Sequence, residues 1–185
     1  GQLRTPEQVA AQAERMLADP RARSKLRYFF HKWLNVERFA DLSKDPDAFP
    51  NYNRAVASDL LTSLDMFLDE TVWSDASDFR QLLLADTVYV NDRLADFYGI
   101  EVAADGGFQK VSPGPGPWAG LLTHPCLTTG NSYFKATSPI HRGVFVIRSL
   151  LGRALRPPPI AVAPLDEGED PTLTTRERVA LQTKS

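Results

Sequence analysis

Three imidazoles, one thiol and the carboxylates around Glu70 are the first candidates for chemistry in this 185-residue chain. His31, His124 and His141 are its only histidines and Cys126 its only cysteine, and none of the histidines stands in H-E-x-x-H or another metal-binding spacing. His124 and Cys126, two residues apart, offer either a pair of ligands or a base beside a nucleophile. Pro125 restricts the backbone between them and no third ligand is evident, so a free cysteine packed in the core is the favoured reading. His141 and Arg142 fall in the first turn of an expected helix, where backbone N–H groups and a guanidinium suit an anion or a propionate-like carboxylate. The competing reading gives Arg142 to a loop carbonyl or a carboxylate, which would fix the turn. Glu70, with Asp69, Asp75 and Asp78, surrounds a helix end. Paired carboxylates do acid and base work only when they converge with separated pKa values, and Asp75 and Asp78 read more readily as caps. A hydrolase built on the Glu70 region and His141 is the least supported reading. No phosphate loop, no G-x-G-x-x-G after a strand and no G-x-S-x-G is present, which removes most support for nucleotide and hydrolase chemistry.

The elements that must hold these groups read mostly as helix. Ser138 accepts from a first helical turn, Pro139 suits the first helical position, and Gly152 suits the left-handed conformation that ends a helix. Pro157-Pro158-Pro159 then forbids continuation and predicts a stiff polyproline exit. Thr5-Pro6-Glu7-Gln8 combines an N-cap, a proline and a capping-box glutamine ahead of Val9, Ala13, Met16 and Leu17. Asp19-Pro20 ends that helix and starts another, whose Leu26, Phe29, Phe30, Trp33 and Leu34 form one apolar stripe among Arg23, Lys25, Arg27 and Lys32. Residues 45–51 are rich in turn formers, and a long helix is expected over 52–71. Ser77 or Asp78 is expected to cap a short helix carrying Phe79, Leu82 and Leu83, and Asn91 to cap a helix that Gly99 stops.

Between Gly99 and Thr137 the pattern changes. Phe108 to Val111 suits a short strand, but Gly106-Gly107 and Pro113 to Pro117 break regular structure on both sides. Leu121 and Leu122, before Thr123-His124-Pro125-Cys126-Leu127, read as a short element returning to the core. The expected fold is mainly α, a helical bundle or array with a loop-rich Gly/Pro connector and little or no β. Three regions are expected, 1–100 helical, 101–137 connector and 138–185 capped helix, proline segment and terminal helix, forming one compact unit or two small lobes.

Composition narrows the partners. With 43% hydrophobic and 24% charged residues the chain is suited to one sizeable core. A net charge of −2 argues against nucleic acid, and Arg21 to Arg27 reads as the solvated face of a helix. No apolar run approaches the roughly 20 residues that span a bilayer. One cysteine excludes both an internal disulfide and a covalent C-x-x-C-H haem site within these residues. The chain starts without Met and stops within a capped helical pattern, 174–181, so a longer polypeptide is expected.

Five motifs in order carry a resemblance. Phe30-His31-Lys32-Trp33-Leu34, Glu70-Thr71, Leu84 to Ile100, Ala119-Gly120-Leu121-Leu122-Thr123-His124 and Thr137-Ser138-Pro139-Ile140-His141-Arg142-Gly143 together resemble the paired uncharacterised domains that accompany cytochrome c modules in large planctomycete-type proteins. The resemblance implies a module of a larger exported protein, periplasmic or at the cell surface. Its partners would be the neighbouring cytochrome c modules of the same polypeptide. Haem c would sit in those segments, with none covalently bound here. It carries no established reaction and marks no catalytic residue. In that setting a loop displaying His124, Lys135, His141 and Arg142 would face the external haem, with Lys135 or Arg142 paired to a propionate and His141 near an axial position. The alternative is a non-catalytic structural or binding domain that positions partner domains or a polymer ligand.

Overall fold

Local capping sets where each helix begins. In the computed structural model, which describes residues 3–39, 41–103, 106–114, 116, 118–156, 173–174, 176–177 and 180–181, Thr5 and Gln8 close a full capping box on helix α1 (Pro6–Leu17). Asp19 accepts the Arg21 N–H and starts α2 (Pro20–Leu34), and Asn35, at φ 54°, ends it in the left-handed conformation. A 3₁₀ turn, Val36–Phe39, leads into the turn-rich segment expected at 45–51. The Asn53 side chain accepts from Ala55 and Val56 and opens the long helix α3 (Arg54–Trp73), two residues later than the apolar pattern suggests.

Helix α3 is the axis of the molecule. Its Val56, Leu60, Leu64, Phe67 and Leu68 recur at helical spacing and are buried, with Ala57, Ser63 and Thr71 beside them. Against it pack α2, the short helix α4 (Gln81–Leu84), strand β1 (Val88–Val90), α5 (Asp92–Tyr98) and α6 (Pro125–Gly130). Asn91 caps α5 and Gly99, at φ 65°, ends it, both as expected. Helix α4 is shorter than the sequence suggests. Asp78 takes the Arg80 N–H in a turn ahead of it, Ser77 bonds the Val72 carbonyl, and Phe79 and Leu83 remain exposed.

The connector holds the second strand, β2 (Gln109–Val111), as Phe108 to Val111 suggests. It runs antiparallel to β1 with Val88 opposite Val111, Tyr89 opposite Lys110 and Val90 opposite Gln109. Glu70 on α3 grips this pair from outside: Tyr89 Oη donates to it at 2.8 Å and Lys110 Nζ at 2.6 Å. Ser63 Oγ donates to the Tyr89 carbonyl at 2.5 Å. Two three-residue strands have little stability alone, so α3 supplies what the hairpin lacks.

One hydrophobic cluster collects residues from all three sequence regions: Phe30 to Ala95, then Leu121, Cys126 and Leu127, then Phe145. Leu121 lies in a 3₁₀ turn (Gly120–Leu122) and is fully buried, while Leu122 is exposed. The fold is mainly α, with the β1–β2 pair as the sheet among the described residues. Phe29, read as part of the buried stripe of α2, is instead exposed, because its ring faces the open groove that it lines with Met16 and Leu17 of α1. Helix α7 (Pro139–Phe145) runs on into a π turn over Val146–Leu150. Gly152 follows at φ 61°. Trp33 Nε1 donates to the Ser149 carbonyl at 2.6 Å and ties this end to α2. The expected polyproline exit, Pro157-Pro158-Pro159, lies outside the described residues, as does part of the terminal helical pattern. At its start Thr174 and Glu177 exchange capping bonds.

Candidate functional site

The residues singled out for chemistry separate into an interior group and a surface group. His124 is interior. It precedes α6, and its Nδ1 accepts the Cys126 backbone N–H at 3.3 Å, so the side chain works as an N-cap. Its ring packs against Phe67, with centroids 5.6 Å apart, and its Nε2 is buried without a hydrogen-bond partner among the described residues. Burial pushes this imidazole down to about 3, so it is neutral. Cys126 is a buried free thiol that burial pushes up to about 12. His124 and Cys126 therefore meet through a backbone N–H, in the packed core that the residues favour. His124, 3% exposed, does not share the surface of the other three candidates.

Lys135, His141 and Arg142 are on that surface. They belong to a loop over residues 131–137 and the first turn of α7. Ser138, fully buried, accepts the His141 N–H at 3.1 Å, and its own carbonyl takes the Arg142 N–H. The helix-start N–H groups of both residues are thus occupied from within, which leaves their side chains as the available chemistry. The His141 ring lies 4.9 Å from that of Tyr133. Arg142 is exposed and makes no ion pair among the described residues.

A second segment, distant in sequence, fixes the loop from the other side. Lys44 Nζ donates to Ser132 Oγ at 2.5 Å and to the Tyr133 carbonyl at 2.9 Å, and the Asp45 N–H bonds the Phe134 carbonyl at 3.1 Å. Lys135 pairs with the buried carboxylate of Asp45 at 3.1 Å. The N–H of Ala48 first, and Lys135 after it, hold the Asp45 carboxyl below the usual carboxylate range. Arg38 reaches Asn131 Oδ1 at 2.5 Å and Asn131 bonds back to the Leu127 carbonyl. Held this way, the loop exposes Tyr133, Phe134 and Ile140 at 43%, 48% and 46% beside Lys135, His141 and Arg142. The three apolar members were not singled out from the sequence. Their signal is Tyr133-Phe134 lying between a polar turn and a helix cap, where no apolar periodicity claims them. For Lys44 and Asp45 no local signal exists, because their partners are about ninety positions away.

Ser138→Ala is expected to lower stability by about 1 kcal/mol, the usual loss for an N-cap, and Ser138→Gly by only a few tenths of a kcal/mol. Urea titration of the three proteins checks this.

The Glu70 region is occupied differently. Burial pushes the Glu70 carboxyl up, but the hydrogen bonds from Lys110 and Tyr89 outweigh it and hold the group below its ordinary range. Burial, and then Glu70, push the Tyr89 hydroxyl up to about 12. Glu70 is therefore an ionised anchor for the β1–β2 pair, and its partners differ from those of His141. No group of three or more His, Cys, Asp or Glu among the described residues is placed to hold a metal ion. No helix among them is long and apolar enough to cross a membrane.

Fold and surface together define a mainly helical domain that presents an anchored aromatic and cationic loop. The chain belongs to the PSD4 family, proteins of unknown function DUF1592, whose model matches residues 1–100. Residues 118–185 match a second family model, PSCyt3, also a protein of unknown function, DUF1588. Both are domains associated with planctomycete cytochrome c proteins, in agreement with the ordered motifs. No curated protein and no solved structure matches the chain.

Proposed function

We propose that this chain is a helical module of a larger exported cytochrome c-type protein, supporting haem-dependent electron transfer or oxidation without binding covalent haem itself. The observation that carries this reading is the loop just described, in which Tyr133, Phe134 and Ile140 are exposed beside Lys135, His141 and Arg142 on a backbone pinned by Lys44 and Asp45. Exposed aromatic and aliphatic side chains next to cations suit a flat apolar group with carboxylates at its edge. Haem c in neighbouring segments, at the periplasm or cell surface, supplies reversible one-electron transfer. Arg142, unpaired among the described residues, is the cation available to a propionate, while Lys135 already shares its charge with Asp45. Tyr133, Phe134 and Ile140 would shield such a contact from water. His141 lies beside them for the haem edge. His124 has no part in this surface. The fit is to a haem held by another module, since the single thiol of this chain is in its core.

The test uses the matured polypeptide that carries this chain together with its cytochrome c modules. Arg142→Glu is expected to lower the haem midpoint potential, because a negative charge near the haem favours the ferric state. The shift should shrink at high salt, as exposed charges are screened within about 10 Å at 0.1 M. Lys135→Glu should act in the same direction and less strongly. Folded variants with unchanged potentials and unchanged electron-transfer rates would reject this function and leave the non-catalytic positioning domain.

A further inference from the structure

Helix α1 is amphipathic and has no buried residue. Its Met16 and Leu17 are 57% and 60% exposed, and across from them α2 exposes Phe29 at 53%. A helix of twelve residues is marginal on its own in water and ordinarily depends on packing one face. Between α1 and α2 lies a groove of about 770 Å³, floored by Met16, Leu17, Ala22, Leu26, Phe29 and Trp73, the last residue of α3.

The banks of this groove are cationic. Helix α2 carries Arg21, Arg23, Lys25, Arg27 and Lys32 and no acid between Pro20 and Leu34. Three of these are neutralised from within: Arg21 by Asp19 at 2.6 Å, Arg27 by Asp69 at 2.5 Å and Lys32 by Glu37 at 2.6 Å. Two other cations line the groove without an ion pair among the described residues: Arg15 bonds the Gln12 amide, while the nearby Asp19 is taken by Arg21, and Lys25 lies over Tyr28. An apolar floor with unpaired cations on its banks calls for an occupant with an apolar stripe flanked by acids.

We propose that the α1–α2 groove is a docking site for an acidic amphipathic helix of a partner protein, laid along α2. A second copy of the chain is disfavoured, because joining two such grooves brings one cation-rich α2 against another. An anionic lipid surface meets the same charge, but a concave groove between two helices fits a cylinder rather than a plane. The site is separate from the Tyr133–Arg142 loop and does not depend on that loop's role.

The probe is a synthetic helix of about 15 residues, matching α2 in length at about 1.5 Å per residue, with leucines at i, i+3, i+4 and i+7 and glutamates on the flanks. It is titrated into the chain by calorimetry, beside a peptide with lysine for every glutamate and beside phosphatidylglycerol vesicles. The glutamate peptide is expected to bind with an affinity that falls as salt rises, and the lysine peptide to fail. Arg15→Glu with Lys25→Glu, both exposed and away from the core, should weaken binding by about tenfold or more, and Met16→Asp similarly. Retained circular dichroism for each variant shows that folding is not the cause. Equal binding of both peptides, binding unaffected by the charge reversals, or vesicle binding without peptide binding overturns the proposal.

Discussion

Gly120→Ala is expected to remove a large part of the stability of this domain. Gly120 sits at φ +49°, and a Cβ there would lie 2.1 Å from the Leu82 carbonyl oxygen and 2.6 Å from its carbon. Those atoms belong to the backbone of α4 and cannot swing aside. Relief requires the 3₁₀ turn to move away from α4. That movement breaks the 2.8 Å bond from the Gly120 N–H to the Ala85 carbonyl and withdraws the fully buried Leu121 from the core. Left-handed strain of about 1–2 kcal/mol, overpacking of about 1–3 and a lost hydrogen bond of about 1 add to roughly 3–6 kcal/mol. A domain of this size has only about 5–15 kcal/mol in total. Gly99→Ala is the control. Its φ is +65° but a Cβ there meets nothing within 4 Å, so only the dihedral strain of about 1–2 kcal/mol remains. Urea midpoints of the two variants measure the difference, and equal losses would show that the close approach to Leu82 is not the cause.

Gly120 also shows where sequence reasoning reaches its limit. Helix starts are local events, so Thr5, Asp19, Asn91 and Ser138 are all legible as caps from a few neighbouring residues, and the structure makes each of those bonds. The Val88–Val90 strand is too short to show a period, and what holds it is Ser63 and Glu70, which reach Tyr89 from 26 and 19 positions earlier. The same is true of the surface loop. His141 and Arg142 are visible as the start of a capped helix, but Lys44 and Asp45, which position Tyr133 and Phe134, act across almost ninety residues of chain. His124 is legible only in part, since the core position it shares with Cys126 is the favoured reading but its capping role is not visible. A histidine beside proline and cysteine looks like chemistry in sequence, whereas the fold uses its Nδ1 as a helix cap and encloses the rest.

That enclosure makes the domain acid-sensitive. With Nδ1 accepting from Cys126, the ring proton is assigned to Nε2, which is buried and unpaired among the described residues, so a second proton would leave a cation with no partner among them. In the unfolded chain an ordinary histidine takes its proton near pH 6.5. Burial delays this in the folded protein to about 3. The group's folded pKa is thus depressed, the unfolded state binds the proton first, and stability is full above about pH 6.5 and falls as the pH drops towards 3. Carboxylates held low in the fold, such as Asp45, Asp78 and Glu70, add losses in the same direction. Their unfolded values lie near 4, so they contribute mainly below that pH. Between pH 6.5 and 4.5 the expected loss from His124 is about 2–3 kcal/mol, at about 1.36 kcal/mol for each pH unit. His124→Asn keeps an oxygen to accept the Cys126 N–H and removes the titration. Its urea midpoint should be lower than that of the parent at pH 7 and nearly flat across this window, whereas the parent's should fall steadily. A parent midpoint unchanged from pH 7 to 5 would mean that the imidazole takes its proton without leaving the fold.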